Sequence, residues 1–311
     1  MTADAADVST ESVRSIAWAR RRDSFLASWR LFRRNKQAMV GLAILVLAAV
    51  VAILAPLLVS PASIDPATAP GTPNQPPSAQ YPLGTDGFGR SVLSLIIVGT
   101  RVSLLVGLTA TIGAMVLGAG VGVVAGFYGG TRIDTVLSAL TDWFLVIPWL
   151  VLAIVMAAIL GPTLLNVILV IAVTSWALTA RIVRAQALSV RRQPYVERAR
   201  ALGASDWSIM TRHILPNTFA VIFAQAVLTV AVAILSETTL AILGLGDPTA
   251  TSWGRIIEEA FDAGAMANGY WWWIIPPGVC VVLVTLAFTM CGYAIEEILN
   301  PRLRRKDKGK A

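Results

Sequence analysis

Six stretches of this 311-residue chain are apolar for at least the length of a membrane-crossing helix: roughly 38–59, 101–127, 135–160, 163–184, 216–244 and 272–297. A hydrocarbon layer about 30 Å thick takes about 20 such residues per helix. Lipid offers backbone N–H and C=O groups no partner, so crossing segments of this kind are helical. The expected fold class is therefore all-α: a polytopic membrane protein with six transmembrane helices. Apolar residues make up 56% of the chain and charged ones 14%, against roughly 45–50% and about 25% in soluble domains. That balance excludes a disordered chain and a coiled coil, and the length leaves no room for a large soluble domain.

The first stretch resembles a signal peptide in its basic flank and apolar run. The 37 residues before it are too many for a usual n-region, however, the run is too long for a usual h-region, and no clean A-x-A-like site follows. It reads as a retained first helix. With the N-terminus inside, Lys and Arg number 8 in residues 1–37, one in the 128–134 turn, 7 in the 181–212 region and 6 in residues 298–311, which is 22 in all. Only Arg90, Arg101 and Arg255 fall outside. The positive-inside rule therefore predicts both termini cytoplasmic. These basic clusters flank apolar spans, so topology and the lipid membrane explain them, and nucleic acid is not expected as a partner.

The resulting division is a cytoplasmic tail over 1–37, a first span over 38–59, an external loop over 60–100, a core of five spans over 101–297 and a basic cytoplasmic tail over 298–311. The external loop carries Pro61, Pro66, Pro70, Pro73, Pro76, Pro77 and Pro82, a density that prevents helix. A second external loop, 246–271, is locally acidic through Asp247, Glu258, Glu259 and Asp262. Within it, Trp253 to Gly264 reads as a short surface helix capped by Ser252.

The second span holds Gly118, Gly122 and Gly126 at four-residue spacing, which predicts a face where another helix backbone approaches closely. Pro148 predicts a kink in the third span. Asp134 is expected to pair with Arg132, and Asp142 to be structural or interfacial near the inner face. Trp271, Trp272 and Trp273 sit where an aromatic belt belongs. Cys280 and Cys291 read as packed thiols, and a single His, His213, builds no metal cluster, so no metal or cofactor is expected in this chain. Glu237, inside the fifth span, is costly in lipid and hence a functional candidate. It could line a pathway, contact a second subunit or relay protons. Ser236, Thr238 and Thr239 beside it suggest a local polar network.

The cytoplasmic stretch 185–216 reads as two short helices broken near Gly203. Pro194 suits the first turn of the first, Gly203 a left-handed ending, and Ser205 the cap of the second, with Asp206 in its first turn. Pro216 suits entry into the fifth span. Tyr195, Ala199 and Leu202 share one face of the first helix, and Trp207 and Ile214 are expected to be exposed on the second. Such an elbow suits docking into a partner's groove. A solvated loop lying on lipid headgroups would explain its arginines equally.

Glu197-x-Ala199, then Gly203, then Ile214-Leu215-Pro216 resembles the EAA loop of ABC importer permeases, with Arg198 where alanine is usual and a shortened ending. Tyr81-Pro82-Leu83-Gly84-Thr85-Asp86-Gly87-Phe88-Gly89-Arg90-Ser91 resembles a segment of the C-type subunit of dipeptide, oligopeptide and nickel permeases, with Ser91 replacing the usual aspartate. The run from Glu237 to Gly246, Ser252-Trp253-Gly254 and Tyr270-Trp271-Trp272 resemble further stretches of that family, in family order.

The resemblance implies a type I ABC importer permease fold. It implies a non-catalytic chain that forms the pathway with a second permease, works with two ATPases that use ATP and Mg, and receives cargo from an external substrate-binding protein. The chain has no G-x-x-x-x-G-K-[ST] phosphate loop of its own. The elbow, 195–214, would be the coupling helix, with Glu197, Ala199, Gly203, Asp206, Ile214 and Pro216 as the residues of the ATPase contact. Peptides are the expected cargo in the bacterial inner membrane. A nickel or other small-solute importer is the alternative within the family, and an ion-coupled secondary transporter the alternative outside it. The latter would show inverted repeats, and none is evident.

Overall fold

A computed structural model describes residue 22 and residues 26–299. Most of the 1–37 tail and nearly all of the 298–311 tail lie outside the described residues. Among those described no strand forms, and the one β-type contact is a bridge between Thr85 and Ser91.

Residues 26–34 are helical and lead into α1, Lys36–Leu58, where Asn35 caps the start by accepting the Ala38 N–H at 3.1 Å. Helix α2, Val92–Phe127, starts at Ser91, whose hydroxyl accepts the Ser94 N–H. Ser and Asp both serve as N-caps, so the Ser91 departure keeps the local function. The helix begins nine residues before the expected 101, because residues 92–100 pack against the outer helix rather than running as loop. Arg101 is therefore inside α2.

The third span is two helices, α3, Arg132–Val146, and α4, Trp149–Leu160, meeting at 91°. The expected kink is a full break. Ile147, immediately before Pro148, is extended (φ −70°, ψ 128°), the conformation that a following proline enforces. Helix α5, Leu164–Arg191, runs well past the expected 184. Then come α6, Pro194–Ala201, α7, Asp206–Ile242, α8, Trp253–Asp262, and α9, Trp271–Leu299. Among the described residues five helices are long and apolar enough to cross a membrane, and six spans result if the bent α3–α4 pair counts as one.

Helix α7 is continuous through Pro216. A π turn over Met210–Ile214 precedes the proline, with the Leu215 N–H reaching back to the Met210 carbonyl. This wider turn adjusts the register where the proline ring would otherwise clash. The Asn217 side chain then donates to the His213 carbonyl at 2.6 Å.

The glycine face behaves as its spacing predicts. A Cβ on Gly118, Gly122 or Gly126 would come within 2.7–2.8 Å of the Trp176, Ala180 and Arg184 carbonyl oxygens of α5. A Cβ on Gly107 would meet the side chain of Ile234 of α7 at 2.6 Å. Helix α1 lies at the side, on α9, with Ile53 and Leu57 exposed as on a lipid-facing surface. Cys280 and Cys291 are free thiols in α9.

Candidate functional site

The elbow is built by local chain chemistry. Pro194 occupies the first turn of α6, where its missing N–H costs nothing. The helix stops at Gly203, which has φ +83°. The Gly203 N–H returns to the Arg200 carbonyl and the Ala204 N–H to the Ala199 carbonyl, both at 3.0 Å. This is the Schellman pattern, which satisfies the orphaned carbonyls of a helix end. Ser205 then caps α7 by accepting the Ser208 N–H at 3.3 Å. Asp206, in the first turn, accepts the Tyr128 hydroxyl at 3.1 Å, tying the end of α2 to the start of α7. That hydrogen bond holds the Tyr128 phenol above its usual range.

Beneath the elbow lies a small apolar core. Val196 from α6 and Ile209, Met210 and Ile214 from α7 pack on Val123, Phe127, Val183, Ala187 and Val190. Ile214 is fully buried there, against the expected exposure. The second helix of the elbow continues into a span, so its inward face is core. What the elbow does present is a row of uncovered side chains: Tyr195, Leu202 at 88% exposure and Trp207 at 72%. Glu197 is exposed, Ala199 half-buried and Pro216 exposed. Glu197, Ala199, Gly203 and Asp206 are thus gathered on one compact projection, whereas Ile214 and Pro216 lie along the helix leading away from it.

Ion pairs fix the spans behind the elbow. Arg184 grips Asp134 in a two-point contact, Nε to Oδ1 at 2.6 Å and Nη2 to Oδ2 at 2.8 Å. Asp134 also accepts the Gly130 N–H at 2.9 Å. The expected Asp134–Arg132 pair does not form, because Arg184 comes from α5 across the bundle. Arg181 reaches Asp142 at 2.6 Å. The two pairs run antiparallel, 134 with 184 and 142 with 181, clamping α3 to α5.

At the opposite end, the 60–91 loop and α8 form an outer layer. Asp86 is fully buried and accepts the Phe88 and Arg90 N–H groups and the Arg90 Nε. Burial pushes its carboxyl above the usual range, and the neighbouring Arg90 does not cancel that effect. Arg90 also reaches Glu259 of α8 at 2.5 Å, and Arg255 bonds Glu258 and Glu259. Helix α8 is no surface helix: Trp253, Ile256 and Ala260 are buried, and the Trp253 indole donates to the Ile96 carbonyl at 3.2 Å. Trp272 and Trp273 are buried as well, leaving only Trp271 in a belt position. The Trp272 indole donates to the Thr85 carbonyl at 3.1 Å.

Glu237 belongs to this outer layer. It sits five residues before the end of α7, about 7–8 Å along the axis, and is 4% exposed. Its Oε2 has no hydrogen-bond partner. Ser236, Thr238 and Thr239 all donate to carbonyls one turn back in their own helix. Asp247, in the loop after α7, accepts the Leu164 N–H at 2.8 Å. Burial raises its pKa, but hydrogen bonds from Thr249 and from the Leu164 and Ala250 N–H groups lower it further, below the usual carboxylate range. Among the described residues no group of three His, Cys, Asp or Glu could hold a metal.

Comparison with known proteins finds two family models along the chain. One, described as the binding-protein-dependent transport system inner membrane component, matches residues 118–305. The other, the N-terminal transmembrane domain of oligopeptide transport permease C, matches residues 25–77. The chain is 36% identical to the dipeptide transport system permease protein of Alkalihalophilus pseudofirmus, over 89% of this chain and 90% of that protein. It is 33% identical to the oligopeptide transport system permease protein of Bacillus subtilis, over 88% of each. Among solved structures it resembles an inward-facing form of the MetNI methionine ABC transporter, with a TM-score of 0.53 and 20% identity, over 66% of this chain and 94% of that one.

Proposed function

The chain belongs to the family of binding-protein-dependent transport system inner membrane components, and from that premise we propose that it is one permease of a peptide importer driven by partner ATPases. A second permease completes the pathway, two ATPases consume ATP and Mg, and an external receptor delivers dipeptides or oligopeptides. The cargo class rests on the dipeptide and oligopeptide relatives, which match almost the whole chain. In this reading ATP and Mg bind the partner ATPases, and the sequence of this chain holds no phosphate-loop motif.

The observation that carries the coupling role is the pairing of large uncovered apolar side chains with a fixed turn. Leu202 and Trp207 flank Gly203 in full view of solvent, while Val196, Ile209 and Ile214 root the projection in the core. An exposed apolar tip on a rooted, rigid elbow fits a groove on another subunit better than it fits water. Glu197 and Asp206 supply the polar rim of that contact. ATPase closure can bias the spans only through contacts that differ between its open and closed states, and the elbow is the place for them. The 22 inward-flanking Lys and Arg support both termini, and the elbow, on the cytoplasmic side, with the outer layer facing the receptor.

The test is co-expression with the neighbouring transport genes, followed by purification and reconstitution. A second permease and ATPases should co-purify, and labelled di- or oligopeptide should enter liposomes only with ATP and receptor. Leu202→Asp with Trp207→Ala should shed the ATPases while leaving the two permeases together. Solitary purification with ATP-independent uptake refutes the proposal.

A further inference from the structure

Helices α5, α7 and α9 line a cavity of about 550 Å³, on a different face of α5 from its glycine seam with α2. That volume falls within the roughly 300–1,000 Å³ of small-molecule sites. Helix α5 contributes Ala185, Gln186 and Ser189, α7 contributes Ala224 and Gln225, and α9 contributes Glu296. The tripeptide Ala-Gln-Ala occurs twice in the chain, at 185–187 and 224–226, and each copy brings its glutamine to this cavity. In both copies the alanine before the glutamine also lines the wall, so the carboxamide has no bulky neighbour there.

Gln225 stands nine residues past Pro216, about 14 Å along the span. Hydroxyls on the same three helices, those of Thr174, Thr218 and Thr289, donate to carbonyls one turn back, whereas Gln186 and Gln225 bond to nothing among the described residues. An unpaired polar group in a span costs free energy until a partner meets it. Acyl chains cannot supply that partner, so it comes through the cavity.

A carboxamide is chemically a peptide unit, a C=O acceptor beside N–H donors. It can pair with a backbone amide through both, whatever side chains the peptide carries. Two carboxamides on two helices can hold one peptide at two of its amides. Glu296, exposed near the C-terminal end of α9, adds a negative charge suited to a peptide's terminal ammonium. The described lining offers no imidazole, the ligand that suits nickel. We propose that Gln186 and Gln225 are cargo contacts, forming a subsite that takes peptide backbone irrespective of side chain. This rests on the peptide-importer reading above and adds to it the atoms by which this subunit touches its cargo.

The experiment uses the whole complex with its receptor in proteoliposomes. The photo-crosslinking residue p-benzoylphenylalanine is placed at position 225 in one form and at 189 in another, and labelled tripeptide is supplied. Both forms should attach the label only when receptor and ATP are present. Gln186→Ala and Gln225→Ala should each cut the peptide taken up per ATP hydrolysed by at least about fivefold, the worth of one hydrogen bond, for peptides of unlike side chains. Ala185→Trp fills the cavity with both glutamines intact. It should give the same loss, even if a glutamine variant does not assemble. Attachment of position 225 to the second permease or to lipid instead of peptide overturns the subsite. So does undiminished uptake per ATP in Ala185→Trp, or a loss confined to peptides with one kind of side chain. A wild-type complex that takes up no peptide with receptor and ATP refutes the importer reading itself.

Discussion

The left-handed turn at Gly203 gives the sharpest test of the coupling elbow. Its φ of +83° favours glycine over other residues on steric grounds, yet a Cβ built there meets nothing within 4 Å. Alanine at this position is therefore penalised by backbone conformation alone, about 1–2 kcal/mol. Relaxing that strain opens the hydrogen bonds at the end of α6 and turns Leu202 away from Trp207. If the docked geometry carries the full penalty, ATPase affinity for the permease pair falls about 5–30-fold. Gly203→Val should lose more, being β-branched, whereas Gly203→Asn should stay within about threefold, because asparagine tolerates this region. The assay is ATPase titration onto permease pairs in nanodiscs, with thermal unfolding of the pair as control. The unfolding midpoint should move little, because the core under the elbow is untouched. Equal binding by the Gly, Ala and Val forms, or an Asn form as weak as the Val form, refutes the claim that this turn positions the contact.

Other outcomes follow from packing and charge. Gly122→Leu should prevent a stable permease, since its first carbon already meets the Ala180 carbonyl at 2.7 Å; Gly120→Ala, with nothing within 4 Å, should stabilise by about 0.5–1 kcal/mol in thermal unfolding. Asp134→Ala should cost about 1–2 kcal/mol, because Arg184 keeps partial access to water when its buried partner is removed, and adding Arg184→Leu should recover part of that loss. Asp247 has a lowered folded pKa, so its contribution is present above the unfolded value near 3.8 and fades as pH falls through the folded one; Asp247→Asn should remove that acid-limb loss from a pH series of unfolding midpoints.

The apolar spans, a departure from straight helix at Pro148, the Gly203 turn and the Ser205 and Ser252 caps were legible, because each is set by a hydropathy run or a local backbone preference. Long-range choices were not. Nothing near Asp134 announces Arg184, fifty residues away, although Arg181 and Arg184 share a helix face as the two aspartates do. The early start of α2 was hidden because residues up to Thr100 were assigned to the external loop, while in the fold Gly99 makes room for Trp253. Ile214 misled because the elbow's second helix is also the first turn of a span, so its period-3.6 face belongs to the bundle. Trp272 and Trp273 misled because an indole at a membrane boundary can equally serve as packing under a folded loop.

The glycine seam between α2 and α5 bears on kinematics. Two helices in which each glycine of one seats against both a Cβ and a carbonyl oxygen of the other (Thr179 and Trp176, Val183 and Ala180, Ala187 and Arg184) cannot slide past one another without colliding. They travel as one plank, and any alternation of access must be a swing of that plank about its short end connections, at 128–131 and 192–193. A pair of spectroscopic rulers, one on each helix, would stay at constant separation through the cycle while rulers spanning those connections breathe.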